Sequence, residues 1–243
     1  MWRSLQGLGQ QLASAFFQPK CAMCGKVNDH LICRYCDRQL LACAQPEPIQ
    51  SDMPLSSATL LFAWGIYEQT LKQAIARCKY ENHPQIARHL GYKMGETWQN
   101  HPQVQKFTHQ WGPLPVIPIP MHAAKLAQRG FNQAEELSKV FCQATGLPHR
   151  PQWLKRVKNT KPQMQTTSKA ERQANLAQAF STDIPAQRPT DGVILVDDIF
   201  TTGTTIREAM SALHKVGVKT RAVVILARPQ FEANSPTKSD NFR

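Results

Sequence analysis

The stretch that decides the fold of this chain is Val193-Ile-Leu-Val-Asp-Asp-Ile-Phe-Thr-Thr-Gly-Thr-Thr205. Its four consecutive aliphatic residues, 193–196, are typical of a strand buried on both faces of a parallel sheet. Asp197 and Asp198 follow at the carboxyl end of that strand, where open α/β sheets bind their ligands. Apolar residues then recur at steps of three and four as far as Gly217, which predicts a helix ended by a glycine.

The loop between this strand and this helix has the composition of a phosphate-binding site. A glycine-centred loop that leads into a helix directs unpaired backbone N–H groups and the positive end of the helix dipole toward one point. The threonine hydroxyls add donors, and the two upstream carboxylates suit the hydroxyls of a sugar, directly or through Mg²⁺. The alternative is a plain buried strand and turn with two solvated acids. The loop residues are Thr201, Thr202, Gly203, Thr204 and Thr205.

The strand, acids and loop together resemble the phosphoribosyl-diphosphate (PRPP) signature of type I phosphoribosyltransferases. In those enzymes an aliphatic strand, two acids and a Thr-Gly-Thr-Thr loop bind the ribose and its 5-phosphate. The resemblance implies that Asp197 and Asp198 bind the ribose and that residues 201–205 bind the phosphate. It also implies the fold class, which is α/β with a type I phosphoribosyltransferase-like parallel sheet flanked by helices.

A second strand, loop and helix are predicted earlier in the chain. Residues 115–122 predict a strand ended by its prolines, and a helix should run from about Ala134 to Thr145. The loop between them carries Lys125, Arg129 and Asn132. In phosphoribosyltransferases the equivalent loop holds the pyrophosphate, so the resemblance makes Arg129 the candidate for this task, because a guanidinium can bridge two phosphate oxygens. The alternative is that Arg129 and Asn132 only set the turn and cap the helix.

Two CxxC pairs lie close together near the start of the chain. They are Cys21 with Cys24 and Cys33 with Cys36. Four thiolates at this spacing can hold one tetrahedral Zn²⁺ in a closed site, whose role is structural. A redox dithiol is the competing interpretation of a single pair, but two neighbouring pairs favour zinc.

These features predict a division of the chain into four segments. Residues 1–45 form an N-terminal helix and a zinc-ribbon module, and the polar, proline-containing residues 46–57 form a linker. A phosphoribosyltransferase-like domain takes residues 58–231, and residues 232–243 form a flexible tail.

Composition limits the class of protein and its partners. The 243 residues carry a net charge of +12, which favours polyanionic partners, although solubility alone is the alternative. The positive charge is dense over residues 125–169. Residues 153–180 have little hydrophobic periodicity, and a long basic loop of this kind is typical of a lid over a substrate or of a solvated loop. No apolar run approaches the roughly 18–20 residues of a membrane span, so we expect a cytoplasmic protein.

The order of these features is similar to that of the ComF family, the competence protein FC group that includes the GntX-type proteins. The resemblance extends from about Cys21 to Arg228 and implies a link to DNA uptake, in natural transformation or in the use of DNA as a nutrient. It implies single-stranded DNA, a DNA-uptake helicase and a DNA-loading protein as partners. The features that carry it are the four cysteines, Ile117-Pro-Ile-Pro120, Arg129-Gly-Phe-Asn-Gln133, Arg172 with Asn175, and Asp197-Asp198 with residues 201–205.

Two functions remain open at this point. An enzyme would bind Mg²⁺–PRPP and let an acceptor displace pyrophosphate from the ribose, by positioning and charge neutralisation rather than by an evident acid or base. The alternative is a non-catalytic single-stranded-DNA-binding or adaptor protein that keeps the fold as a ligand pocket. Affinity for single strands would need aromatic platforms. The aromatic side chains near the basic region are Trp111, Phe131 and Trp153, each of which fits a core position better.

Overall fold

The computed structural model describes residues 18–50, 55, 59–157, 179–185 and 191–230. The strands in this part are β1 (Ile49–Gln50), β2 (Leu60–Ile66), β3 (Val116–Pro118), β4 (Leu154–Arg156), β5 (Phe180–Thr182), β6 (Val193–Ile199) and β7 (Thr220–Arg228). The helices are α1 (Arg34–Leu41), α2 (Gln69–Tyr80), α3 (Pro84–Asn100), α4 (Pro102–Trp111), α5 (Ala123–Arg129), α6 (Gln133–Thr145) and α7 (Thr204–Lys215), with a 3-10 turn at Pro151–Trp153.

A five-stranded sheet in the order β1-β2-β7-β6-β3 forms the centre of the fold. Strands β2, β7, β6 and β3 are parallel, and β1 joins the edge antiparallel to β2. Strands β4 and β5 form a separate antiparallel pair. The sheet is therefore mainly parallel, and β6, which carries the two acids, lies in its interior. The predicted α/β class is confirmed.

Strand β6 is buried on both faces, as the aliphatic run predicts. Alternate residues of a strand point to opposite faces, so Ile194 and Val196 enter one apolar cluster while Val193 and Leu195 enter the other. The first cluster is closed by apolar residues of α2, α3 and α6, and the second by α7 and the β4–β5 pair. The result is a sheet between two layers of covering elements.

Helices α3 and α6 pack closely because glycines face the contact. A Cβ on Gly91 would collide with the backbone carbonyl of Leu137, and one on Gly95 would lie 2.6 Å from the Cβ of Ala144. Glycine in the middle of a helix costs stability relative to alanine, so the close approach of the two backbones accounts for these residues. The contact fixes α6 against the face of the sheet.

The region between β3 and α6 differs from the sequence prediction. The predicted strand over residues 115–122 is limited to Val116–Pro118, and the predicted loop that carries Lys125 and Arg129 contains the helix α5. All seven residues of α5 are strong helix formers. The side chain of His122 accepts a hydrogen bond from the backbone N–H of Ala124 and so caps the helix. Local propensity therefore outweighs the loop pattern inferred from the flanking elements.

The predicted linker also contains more structure than expected, since part of it forms β1 at the sheet edge. The division into segments remains a prediction. Residues 1–17 with the predicted N-terminal helix, most of the predicted basic loop, Arg172, Asn175 and the predicted tail 232–243 lie outside the described residues. None of the helices in the described part combines the length and apolar character that a bilayer crossing needs.

Candidate functional site

The four predicted cysteine ligands converge at one point. The Sγ atoms of Cys21, Cys24, Cys33 and Cys36 all lie within 4.8 Å of one another, and those of Cys24 and Cys33 are 3.8 Å apart. A tetrahedral site with Zn–S bonds of about 2.3 Å has S–S edges of about 3.8 Å. The donor set and its spacing therefore fit a metal such as zinc.

Backbone hydrogen bonds prepare Cys21 to act as a thiolate. The N–H groups of Met23 and Cys33 donate to its Sγ at 3.4 and 3.3 Å. Burial opposes ionisation of this thiol, but the backbone N–H groups of Cys33, Cys24 and Met23 outweigh it and lower the pKa of Cys21 to about 6. Since the thiolate is the form that binds metal, these N–H groups favour the ligand form of Cys21.

Two other cysteines have the opposite character. Cys78 and Cys142 are buried, and burial raises the pKa of each thiol to about 12. Such thiols stay protonated and unreactive at neutral pH. Both belong to the core and not to the four-cysteine cluster, in agreement with their isolated positions in the sequence.

Asp197 and Asp198 are near the end of β6 (Val193–Ile199), at the carboxyl end of the parallel strands. Oδ1 of Asp197 accepts the backbone N–H of Asp198 at 2.8 Å, and Oδ2 of Asp198 lies 2.5 Å from Nζ of Lys79. Apart from a proton shared between the carboxylates, no donor in the described part of the chain holds the second oxygen of either acid. One oxygen of Asp197 is thus held by a backbone N–H, and one oxygen of Asp198 forms an ion pair with an ammonium.

The two acids and Lys79 form one electrostatic unit. Burial, followed by the neighbouring charge of Asp198, raises the pKa of Asp197 well above its usual range. Burial alone would lower the pKa of Lys79, but the charge of Asp198 and its hydrogen bond more than compensate, so the pKa of Lys79 is raised. Lys79 therefore stays an ammonium, and it offsets the negative charge of the acid pair.

The predicted phosphate loop directly follows these acids. Gly203 has a φ of 70° and forms the N-cap of α7, and a Cβ there would collide with the buried ring of Phe200. The backbone N–H groups of Thr201, Thr202 and Gly203 meet no acceptor within the described residues. An anion at this point would therefore receive several N–H donors and the positive end of the α7 dipole.

Side chains hold the loop in place. The hydroxyls of Thr202 and Thr204 lie 2.8 Å apart, and Nη2 of Arg207 donates to the carbonyl of Thr202 at 2.5 Å. Arg207 lies on α7 and was not identified from the sequence. Its contact is an ordinary tether between a helix and the loop before it, for which the sequence offers no specific signal.

Arg129 and Asn132 have different roles in the structure. Asn132 caps α6, because its Oδ1 accepts the N–H of Ala134 at 3.2 Å while its Nδ2 donates to the carbonyl of Ile119 at 3.0 Å. Arg129 ends α5 and donates to Oε1 of Gln133 at 2.6 Å. Its guanidinium carbon lies 6.0 Å from the centre of the ring of Tyr80. Asn132 thus has the structural role that the alternative interpretation gave it.

Lys79 and Tyr80, the last two residues of α2, were not identified as site residues from the sequence. Tyr80 is 80% exposed, and Arg129 approaches its ring from α5. The one available signal was a basic and an aromatic residue adjacent at a helix end, which is too common to indicate a site.

The aromatic residues considered as platforms for single-stranded DNA are not free. Phe131 and Trp153 are buried. Trp111 is half-buried, and the guanidinium of Arg221 lies 3.6 Å from its ring centre. These three side chains belong to the core or are already stacked.

Comparisons with known proteins agree with this architecture. The profile of the phosphoribosyl transferase domain family matches residues 109–240. Competence protein F of Haemophilus influenzae is 32% identical over 212 residues, which cover 86% of this chain and 85% of that protein. The DNA utilization protein YhgH of Salmonella typhi is 31% identical over 48% of this chain and 51% of its own length. The YhgH protein of Salmonella typhimurium is 30% identical over 46% and 48% of the two chains.

One solved structure with a weaker likeness is that of Leishmania donovani UMP synthase. It is 15% identical, with a TM-score of 0.35, over 80% of this chain. The matched part is 31% of that longer chain. A likeness of this degree supports no argument about the site.

Proposed function

Because the chain belongs to the ComF family of phosphoribosyltransferase-like proteins, we propose that it binds Mg²⁺–PRPP and acts in DNA uptake or in the use of DNA as a nutrient. The observation that carries the first part is that two acids follow one another at the end of β6 and lead into a loop whose N–H groups meet no acceptor among the described residues. The second part is supported by the names of the relatives, which refer to competence and to DNA utilization.

The residues at the end of β6 have separate tasks in the proposed complex. The hydroxyls of the ribose donate to oxygens of Asp197 and Asp198, because an ionised carboxylate can act only as an acceptor. The 5-phosphate receives the N–H groups of residues 201–203, the hydroxyls of the loop threonines and the positive end of α7. Mg²⁺ arrives with the diphosphate and prefers oxygen ligands. Arg129 is the proposed partner of the pyrophosphate, which a guanidinium can bind through two oxygens.

The four-cysteine cluster has a structural task in the same proposal. Cys21, Cys24, Cys33 and Cys36 hold Zn²⁺ with all four positions filled by protein, which leaves none for a substrate. The metal then stabilises the cysteine-containing residues 21–36 and α1, which begins between the last two ligands.

Isothermal titration calorimetry of Mg²⁺–PRPP into the purified protein tests the ligand. The variant Asp197→Asn/Asp198→Asn keeps the shape of both side chains, and we expect it to bind at least about tenfold more weakly, because hydrogen bonds to charged groups contribute about 1.5–3 kcal/mol each. Asp183→Asn is a matched control, since Asp183 is an exposed acid that pairs with Lys155. A folded wild-type protein that does not bind Mg²⁺–PRPP would refute the proposal.

A second assay separates an enzyme from a binding protein of the DNA-uptake machinery. In a transfer reaction the acceptor forms a bond to C1 of the ribose while the bond from C1 to pyrophosphate breaks, and the acceptor loses a proton. Pyrophosphate release is therefore measured with each member of a nucleobase panel. Release of pyrophosphate with one acceptor supports an enzyme. Binding of PRPP without release of pyrophosphate in the presence of any acceptor supports a ligand pocket in an adaptor protein.

A further inference from the structure

Lys79 reaches the acid pair from a part of the chain that no motif marks. Its Nζ lies 2.5 Å from Oδ2 of Asp198, and the two side chains are only 20% and 15% exposed. The pair formed by Lys155 and Asp183 has a similar distance of 2.6 Å, but its side chains are 57% and 66% exposed. Water screens the surface pair, which therefore contributes little, while the sheltered pair interacts strongly.

We propose that Lys79 is a positioning residue for the sugar: it holds Oδ2 of Asp198 so that the other oxygen, Oδ1, faces the ribose hydroxyls. This inference rests on the proposed function, because it assigns a task within the same site. Nothing in the PRPP-type sequence pattern includes a lysine at the end of α2.

The arrangement of the acids explains why such a residue is needed. The backbone N–H of Asp198 fixes one oxygen of Asp197, at 2.8 Å. Asp198 has no equivalent backbone donor in the described part of the chain, and the contact that its carboxylate makes there is the ion pair with the ammonium of Lys79. The ammonium also reduces the repulsion between two adjacent acids. An acceptor held in place in advance binds its ligand without a further loss of side-chain entropy.

The position of Lys79 makes the pair depend on tertiary packing. Lys79 lies in the last turn of α2, whose buried residues Leu71, Ala74, Ile75 and Cys78 pack into the apolar cluster on one face of the sheet. The ammonium is thus carried by a separate helix, which packs into the same apolar cluster as Ile194 and Val196 of β6. Removing it would leave the charge of Asp198 sheltered and uncompensated, which is unfavourable in a partly buried site.

The test measures the dissociation constants of ribose 5-phosphate and of inorganic phosphate by calorimetry. For Lys79→Met we expect ribose 5-phosphate to bind at least about tenfold more weakly and inorganic phosphate to bind within about twofold of wild type, because only the sugar contacts Asp198. Lys79→Arg keeps the charge and the N–H donors, so it should restore most of the affinity for the sugar phosphate. Lys155→Met removes the matched surface lysine and should bind both ligands as the wild type does.

Each outcome decides between the proposals. If wild type binds Mg²⁺–PRPP and Lys79→Met binds ribose 5-phosphate equally well, the inference about Lys79 is wrong and the proposed function stands. If Lys79→Met loses both ligands in parallel, or Lys79→Arg restores nothing, the role of Lys79 is only structural and the inference is overturned. If wild type binds neither PRPP nor ribose 5-phosphate, both proposals fail. Should Lys79→Met not fold, Lys79→Gln replaces it, with the same loss expected for the sugar phosphate alone.

Discussion

Nε2 of His89 lies 2.7 Å from Oδ1 of Asp37, and this contact joins α3 to α1 of the four-cysteine module. A second contact lies nearby, where Nη1 of Arg77 on α2 donates to the carbonyl of Ala22 at 3.5 Å. Apolar side chains of the module belong to the same buried cluster as those of α2 and α3. The module is thus packed on the helix that carries Lys79.

The contact between Asp37 and His89 should contribute measurably to stability. The two side chains are 30% and 24% exposed, and a partly sheltered hydrogen bond of this kind contributes about 0.5–1.5 kcal/mol. We expect a coupling energy in that range from a double-mutant cycle of Asp37→Asn and His89→Gln, measured by urea unfolding. The comparison cycle is Lys93 and Glu96 on α3, a more exposed pair at 3.1 Å, for which we expect a smaller value. Equal coupling in both cycles would contradict the prediction.

Loss of one cysteine ligand should release the metal and lower the melting temperature. Cys24 is exposed, so Cys24→Ser removes a sulfur without creating a cavity. We expect bound zinc, measured by elemental analysis, to fall from about one ion per chain to well below that value, because three thiolates do not complete the structural site. Cys43→Ser is the control, since Cys43 lies outside the cluster. Unchanged zinc in Cys24→Ser would exclude this cluster as the metal site.

Gly203→Ala should weaken the binding of phosphate in addition to lowering the stability of the fold. The residue has a φ of 70°, which costs a non-glycine residue about 1–2 kcal/mol, and the added methyl would displace the loop from Phe200. We expect at least about a tenfold loss of affinity for inorganic phosphate in calorimetry, because the N–H groups of the loop no longer point to one place. The control is Gly146→Ala at the end of α6. Gly146 has a similar φ of 74°, and no atom lies within 4 Å of the Cβ that the substitution adds. It should lose stability and keep its affinity.

His149 should make the protein less stable as the pH falls. Burial, with the nearby charges of Lys139 and Arg150, lowers the pKa of His149 in the folded protein, and its Nε2 pairs with Oγ of Ser138 at 2.8 Å. Below about pH 6.5, His149 binds a proton more readily in the unfolded chain than in the folded chain. The associated stability is therefore complete above that pH and is lost as the pH falls through the folded pKa.

The measurement for His149 is the free energy of unfolding in urea at several pH values between 7 and 5. We expect wild type to lose more stability over this range than His149→Gln, whose amide can still donate to Ser138. The two proteins are identical at every other position, so the difference isolates this residue. Parallel curves for the two proteins would show that the charge state of His149 does not matter.

Several parts of the fold could be predicted because their signals are local. The aliphatic run of β6 and the apolar periodicity of α6 and α7 each depend on a few adjacent residues, and all of these elements appear near the expected positions. The short helix α5 was missed, although its composition favours a helix, because the comparison with the later motif suggested a loop. The edge strand β1 was missed because two residues in a polar, proline-containing segment carry no strand pattern.

The sequence by itself determined the strand, acids and loop of the candidate site and the four cysteines, because the groups in each set are close along the chain or follow a fixed spacing. Only the tertiary structure decided that Lys79 pairs with Asp198 and that His89 contacts Asp37. These partners are far apart in the chain, and their meeting depends on how α1, α2 and α3 pack on the sheet. That packing follows from the shapes of many buried side chains together, which no local pattern encodes.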